Sequence, residues 1–403
     1  MKVTVNGKSL RGQIPAIASK SMAHRYLILS SLCDEITGIR CENRSDDISA
    51  TARCLKSMGK VLSYSEGKYY VGSGKSTYRP VLDCGESGST LRFLLPIVCA
   101  LGHEAKFIRG RRLSVRPLNA LTRELCRHGC TVTESENGIL CIGGKLMPGY
   151  YHLPGDISSQ FISGLLMALP LCRGDSVIEI EGKPASEPYI DMTLDAQRTF
   201  GVHIEKTENG FKVPGNTKYV SPGTAEVEGD WSAASFWLCA GYLGADITVT
   251  GLDNNSFQGD KRINTELLKL RSPGKVLLDA TDIPDLVPVL AVCAAVRDGQ
   301  TVIYNAARLR GKESDRLSTV SKMLGSLGCR CCETEDGLKI SGEVLHPGTV
   351  SACGDHRIAM AAAAASVAAG NVTVDGAEAV SKSYPAFWED FRKLHGIVIF
   401  EDD

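Results

Sequence analysis

The stretch TFGVHIEKTENGFKVPG, Thr199–Gly215, carries three signals in seventeen residues. Gly201 stands where a helix would end, since glycine just past the last turn takes the left-handed cap without strain. VHIE follows as a short strand. Asn209–Gly210 then marks a tight hairpin turn into a second strand, FKV. The same order recurs along the chain. A glycine closes a helix-like segment and opens a strand in SMGKVLS (Gly59), RHGCTVT (Gly129), TFGVHIE (Gly201), SPGKVLL (Gly274), SLGCRCC (Gly328) and LHGIVIF (Gly396). Four copies continue into a hairpin: SEGKYYVG, ENGILCIG, ENGFKVPG and EDGLKISG.

Those glycines are spaced by 70, 72, 73, 54 and 68 residues, which is the mark of one unit repeated six times with one short member. The deficit follows Gly274, where no hairpin signal appears. Upstream of each capped helix lies a strand (TGIRCE, EAKFIR, SVIEIE, DITVTG, TVIYNA, NVTVDG), and upstream of each strand an apolar helix. The unit is therefore helix, strand, helix, strand, strand. A helix apolar on nearly every side must be buried, and one such unit cannot cover its own, so copies have to pack together. Three units in each of two domains is the simplest partition of this α/β (α+β) chain. The expected domains are 13–228, and 1–12 with 229–403, with hinges near 11–15 and 220–230; MKVTV is a lone strand expected to pair with the last domain.

The apolar helices begin SKSMAHRYLILSSL, SGSTLRFLLPIVCA, SSQFISGLLMALPL, WSAASFWLCAGYLG, IPDLVPVLAVCAAV and DHRIAMAAAAASVA. Each is entered through polar residues: Lys20, Ser21 and Arg25; Glu86, Ser87, Ser89 and Arg92; Ser158, Ser159 and Gln160; Asp230 and Ser232; Asp285; and Asp355, His356 and Arg357. Capping alone explains Ser and Asp at such positions. It does not explain the cations, because a positive charge near a helix N-terminus opposes the dipole by about 0.3–1 kcal/mol. Lys20, Arg25, Arg92 and Arg357 point instead to an anionic ligand, phosphate or carboxylate, gathered by helix ends that converge on one cleft. In the loop RGRRLSVRP, Arg109–Pro117, Arg116 is the best-placed arginine and the others are expected on a solvated rim. Asp285 and Glu313, with Lys312, Arg316 and Lys382 as neighbouring cations, are the candidate acid and base.

Bulk composition fits a local anion site better than a nucleic-acid or membrane surface. Lys and Arg total 45 against 46 Asp and Glu, a net charge of −1. No apolar run reaches the length of a membrane span, and the N-terminus lacks the apolar core of a secretory signal, so a cytoplasmic enzyme is expected. The fifteen cysteines lie singly in apolar stretches or strands and read as reduced core residues; CRCC, Cys329–Cys332, would be split between two strand faces and so is not expected to bind metal. VGSGKST, Val71–Thr77, ends like a phosphate-binding loop, but Tyr69 replaces the required first glycine and Pro80 follows where a helix should start. His24, His103, His128, His152 and His395 are expected at the surface or in caps.

Taken in order, SKSMAHR, GESGSTLR, RPL at Arg116, DISSQFISGLL, SEPYI, SFQGD, DIPD, GKESDR, GDHRIAMA and SKSYPAFW resemble the 5-enolpyruvylshikimate-3-phosphate (EPSP) synthase family over essentially the whole chain. The resemblance implies a two-domain, inside-out α/β barrel-like enolpyruvyl transferase fold. It also implies transfer of the enolpyruvyl group of phosphoenolpyruvate to the 5-hydroxyl of shikimate 3-phosphate, with no metal or organic cofactor, by a monomer that binds small molecules and no nucleic acid. Carried over, Lys20, Ser21, Arg25, Ser158, Ser159, Gln160, Ser186, Asp285 and Lys312 would hold shikimate 3-phosphate, its phosphate on the serines and its carboxylate on Arg25. Lys20, Gly88, Arg92, Arg116, Gln160, Glu313, Arg316, Arg357 and Lys382 would hold phosphoenolpyruvate. Asp285 would accept the 5-hydroxyl proton with help from Lys20, and Glu313 would protonate the methylene carbon, supported by His356 and Lys382.

The chain departs from the family pattern at Glu86, where Asn is usual, at Phe93 for a common Pro, at Gly354 of GDHR for Asn, and at Glu187 for a frequent Lys. The competing readings are the sister transferase acting on UDP-N-acetylglucosamine, whose usual loop cysteine is missing from RGRRLSVRP, the RNA 3′-phosphate cyclases, and a non-catalytic polyanion binder.

Overall fold

The computed structural model describes residues 1–135 and 138–401 and divides the chain into two compact units, Met1–Ser19 with Glu228–Asp403, and Lys20–Val227. In the Lys20–Val227 unit the apolar helices Lys20–Ser30, Gly88–Leu101 and Ser159–Ala168 form the interior. The other unit is centred on Trp231–Tyr242, Val287–Ala295 and His356–Ala369. All nine residues of VPVLAVCAA are buried, as a helix without a polar stripe requires. The alanine run of the His356–Ala369 helix lets it pack against both of its neighbours.

All four hairpins form. Val61–Ser65 pairs with Lys68–Gly72, Cys130–Glu134 with Leu140–Gly144, Glu205–Thr207 with Gly210–Val213, and Cys331–Glu333 with Leu338–Ser341, each antiparallel. Two residues of the ENGILCIG turn, 136 and 137, lie outside the described residues. Four of the five four-stranded sheets also have an opening strand just before the apolar helix, parallel to the strand that follows it, and only the one in SPGKVLL is read as a strand from the sequence. These are Val81–Asp83, Tyr150–Pro154, Val276–Asp279 and Gly348–Ser351. VLL after Gly274 is therefore the opening strand of the fifth sheet, and the short unit is the fourth.

Two opening strands are exchanged along the chain. Arg11–Pro15 precedes the first apolar helix in sequence but pairs with Asp246–Thr250 of the fourth repeat, which keeps residues 13–19 with the C-terminal half. Thr224–Glu226 precedes the fourth apolar helix but pairs with Thr37–Arg40 of the first repeat. Both segments anticipated as hinges thus carry paired strands. The connecting links run alongside one another, with Ser19 N donating to Glu228 O at 2.8 Å and Asp230 N to Ile17 O at 2.8 Å. Lys2–Asn6 completes the sixth sheet between Val372–Asp375 and Ile397–Glu401.

The fourth repeat has only the two-stranded Arg11–Pro15/Asp246–Thr250 sheet. Arg297 closes the gap left after its second helix: its buried guanidinium donates to the carbonyls of Leu270, Gly274 and Gln300 at 3.0, 2.8 and 3.1 Å, and to that of Ser272 at 2.5 Å. Four backbone acceptors around the shortened connection are thus met by one side chain. All fifteen cysteines are free, and most are buried, although Cys126, Cys332 and Cys353 are exposed. Among the described residues no helix is long and apolar enough to cross a membrane, and no group of His, Cys, Asp and Glu is arranged to hold a metal. The VGSGKST segment leaves its strand at Gly72 and forms a loop with no helix after it.

Candidate functional site

In the Lys20–Val227 unit the helix starts are drawn together by one close approach. Pro96 cannot donate within the Gly88–Leu101 helix, which releases the Arg92 carbonyl. Gly164 of the Ser159–Ala168 helix lies against that carbonyl; a Cβ there would come within 2.3 Å of it. With the helices this close, Arg92 Nη1 donates to Gln160 Oε1 at 3.1 Å, and Gln160 Nε2 donates to Ser89 Oγ at 2.9 Å. Ser158 caps its helix by accepting from Gln160 N, and Ser159 is buried behind it. Arg116 joins the group at Gly88, where a Cβ would meet Arg92 Nη1 at 2.5 Å and Arg116 Nη1 at 3.1 Å. Two guanidinium groups flanking one glycine are an arrangement that can receive an anion.

A second cluster surrounds Arg25, the sixth residue of its helix and so beyond the first turn. Its guanidinium donates to Thr193 Oγ1 at 2.9 Å and to the carbonyls of Ser21 and Tyr189 at 2.7 Å each, while lying 5.1 Å over the Phe93 ring. Phe93 thus gains a role as the face on which Arg25 rests. Burial pulls the Arg25 pKa down to about 10, still charged at neutral pH. Lys20 Nζ pairs with Asp47 Oδ2 at 2.8 Å. His24 is fully buried, contrary to the surface expectation, because it begins a polar chain: Nδ1 lies 2.7 Å from Thr51 Oγ1, which lies 2.7 Å from Thr90 Oγ1, which donates to the cap Ser87 at 2.7 Å. Ser186 sits in the left-handed region at φ 58° as the cap residue of Glu187–Thr199, a strained setting for a side-chain-bearing residue and one that recurs at functional sites. Glu187 is turned to an ion pair with Lys206 at 3.5 Å.

Arg109 is not on a solvated rim. Its side chain is 2% exposed and donates to the carbonyls of Gly138 at 2.7 Å and Ser114 at 3.4 Å, with an ion pair to Glu134, because it braces the loop from inside.

The other unit gathers carboxylates as well as cations. Arg316 donates to Asp285 Oδ1 and Glu313 Oε2, each at 2.7 Å, and to Asp355 Oδ2 at 2.8 Å. Arg357 reaches Asp285 Oδ2 at 3.0 Å and Ser232 Oγ at 2.6 Å, joining the starts of three apolar helices. Burial pushes the Asp285 pKa up, but Arg357, Lys312 and Arg316 outweigh it and hold the carboxyl well below its ordinary range. Burial lowers Lys312 to about 8. Asp260, in SFQGD, is raised to about 6 by burial and then by the charge of Asp285. His356 and Lys382 are buried, at the start of the last apolar helix and at the end of the turn Ala377–Lys382. Gly354 has φ +66°, a left-handed conformation that suits glycine.

The sequence reading missed Asp47, Tyr189, Thr193, Asp260 and Asp355. Tyr189 and Asp260 stood inside quoted strings, and Asp355 was noted only as a helix-entry residue. Asp47 and Thr193 lie in amphipathic helices with nothing local to single them out.

The sequence pattern of the EPSP synthase (3-phosphoshikimate 1-carboxyvinyltransferase) family matches residues 5–391. A 3-phosphoshikimate 1-carboxyvinyltransferase of Clostridium kluyveri is 42% identical over 417 aligned residues, covering 98% of this chain and 97% of the relative. One from Clostridium acetobutylicum is 41% identical, covering 98% of each. In fold, the chain is similar to an EPSP synthase of Acinetobacter baumannii, with TM-score 0.80 and 23% identity over 99% of this chain and 100% of that one. It is likewise similar to the enolpyruvyl transferase NikO of Streptomyces tendae, with TM-score 0.81 and 19% identity over 99% and 98% of the two chains. A pattern spanning nearly the whole length, joined to full-length relatives above 40% identity, places this chain in the EPSP synthase family.

Proposed function

We propose that this chain transfers the enolpyruvyl group of phosphoenolpyruvate to the 5-hydroxyl of shikimate 3-phosphate and releases inorganic phosphate. The observation that carries the reading beyond family membership is the Asp285–Arg316–Glu313 cluster, in which two carboxylates share one guanidinium. A pure anion binder gains nothing from carboxylates placed there; an addition–elimination needs two of them.

In this reading Arg25 receives the shikimate carboxylate. Three of its nitrogens already donate within the protein, leaving one N–H on each terminal nitrogen for a ligand. Ser158, Ser159 and Ser186 take the sugar phosphate, and Ser21, Gln160 and Lys312 are further ligands of shikimate 3-phosphate in this reading. Arg92 and Arg116 at Gly88, with Lys20, Arg316, Arg357 and Lys382, take phosphoenolpyruvate. Glu313, entering the cycle as the carboxylic acid, gives its proton to the methylene carbon, which creates cationic character at C2. The 5-hydroxyl oxygen bonds to C2 while its proton passes to Asp285, assisted by Lys20, forming a tetrahedral phosphate ketal. Return of a methyl proton to Glu313, with His356 and Lys382 in support, re-forms the double bond as the C2–O bond to phosphate breaks, and the proton held by Asp285 passes to the departing phosphate.

A carboxylate held far below its ordinary range is a weak base. Phosphoenolpyruvate on Arg316 and Arg357 competes with Asp285 for both guanidinium groups, so substrate binding raises the basicity of Asp285 when it is needed. The net charge of −1 leaves no broad excess of positive charge for nucleic acid and fits a chain that engages small anions.

Phosphate release, measured with each substrate alone and with both, tests the reaction. The proposal expects release only with the pair; release from phosphoenolpyruvate alone at the same rate, or no release with both, contradicts it.

A further inference from the structure

The loop that carries Arg116 is held from outside by a residue that the family pattern would not provide. Glu86 Oε1 accepts from Arg112 N at 3.1 Å, and Glu86 Oε2 accepts from Leu113 N at 2.7 Å. These two amides open the helical turn Arg111–Ser114, where backbone donors lack partners within the turn. The fit depends on Gly110: a Cβ there would lie 2.3 Å from Glu86 Oε1 and 2.4 Å from its carboxyl carbon. Gly110 N also donates to Gly85 O at 2.7 Å, so the two loops are joined by backbone as well as by the carboxylate. At the far end of the same loop the Pro117 carbonyl accepts from Arg92 Nη2 at 3.0 Å. Arg116 stands between the capped turn and this second anchor.

We propose that Glu86 is a positioning residue, holding the Arg109–Pro117 loop in the shape that presents Arg116 beside Arg92 as a paired-guanidinium receptor for phosphoenolpyruvate. This rests on the proposed function. A carboxylate near an anion receptor would ordinarily weaken it. Here its charge is directed at two backbone donors, so it orders the receptor while its oxygens are engaged elsewhere. Ordering the loop before the ligand arrives removes a cost of binding, which places the effect on substrate affinity and not on the chemical step.

The test is two-substrate kinetics on Glu86→Gln, whose amide can accept at only one of the two positions, and on Gly110→Ala, which displaces the carboxylate. Both should raise the KM for phosphoenolpyruvate about tenfold while leaving kcat and the KM for shikimate 3-phosphate within about twofold. The double variant should be no worse than the weaker single, since both changes break the same contact. A rise in the KM for shikimate 3-phosphate would mean that Glu86 faces the other substrate, and a fall in kcat alone would give it a part in the chemistry; either overturns the proposal. Amide hydrogen exchange across 110–117 gives a readout independent of turnover: protection lost in Glu86→Gln supports the hold, and unchanged protection refutes it. A wild type that releases no phosphate with both substrates would sink the proposed reaction and leave the exchange result to decide the role of Glu86.

Discussion

The two clusters at the helix starts use the same residue types and settle their charge in opposite ways. In the Lys20–Val227 unit, Arg25 donates to a hydroxyl and two carbonyls, and Arg92 donates to an amide oxygen and a carbonyl. The acceptors of Arg25 are neutral and orient its guanidinium without cancelling its charge, whereas Lys20 in the same unit is paired with Asp47. In the other unit, Arg316 alone contacts three carboxylates and Arg357 contacts one of the same three. There the charge is largely balanced within the protein, and what remains is a set of coupled groups whose proton affinities respond to whatever binds. In the proposed reaction the first cluster chiefly receives anions, while the second adds the carboxyl groups that move protons.

The sharpest way to break this contrast is to remove a carboxylate from the second cluster and a cation from the first. Asp285→Ala and Glu313→Ala should each lower kcat by about 10³, the middle of the range for a positioned acid or base, with both KM values changed only a few-fold. Arg25→Ala should raise the KM for shikimate 3-phosphate about a hundredfold, equivalent to about 3 kcal/mol for a lost charged contact, with kcat kept within about threefold. Steady-state kinetics with each substrate varied in turn separates the two patterns. Equal losses of affinity in all three variants would erase the distinction.

Lys312 sharpens the comparison with a smaller effect. Burial lowers its pKa to about 8, so the ammonium is fully charged only below that value and is lost as pH rises through it. The KM for shikimate 3-phosphate should therefore climb about tenfold between pH 7 and pH 9, and Lys312→Arg should flatten that limb because guanidinium stays protonated. A wild-type profile that is flat across this window would remove Lys312 from the phosphate site.

The repeat was legible because its signals are local. A glycine past a helix and an Asn-Gly or Asp-Gly turn act within four residues, and Gly59, Gly129, Gly201 and Gly328 all take positive φ where those caps were read. Most of the opening strands were not legible. Val81–Asp83 and Thr224–Glu226 are three residues each, too short to show a period, and are strands only because a distant partner lies alongside. The exchange of Arg11–Pro15 and Thr224–Glu226 between repeats is set by long-range pairing that neither segment encodes on its own. At the site, the cations were visible as charges out of place against a helix dipole. Their internal partners, Asp47, Thr193 and Asp355, were not, because a single polar residue on a helix looks the same whether it meets water or an arginine. Glu86 and Phe93 stood out as departures, and only the coordinates gave them a purpose: one caps the arginine loop and the other supports Arg25.

The division of labour between receiving anions and moving protons is tested most directly by a single-turnover experiment. Rapid-quench formation of the tetrahedral intermediate from labelled phosphoenolpyruvate would be followed in Arg25→Ala and Asp285→Ala at saturating concentrations of both substrates. The account predicts an intermediate formed at close to the wild-type rate in Arg25→Ala, and at a rate lower by about 10³ in Asp285→Ala. Equal slowing in the two variants, or normal formation in Asp285→Ala, would contradict it.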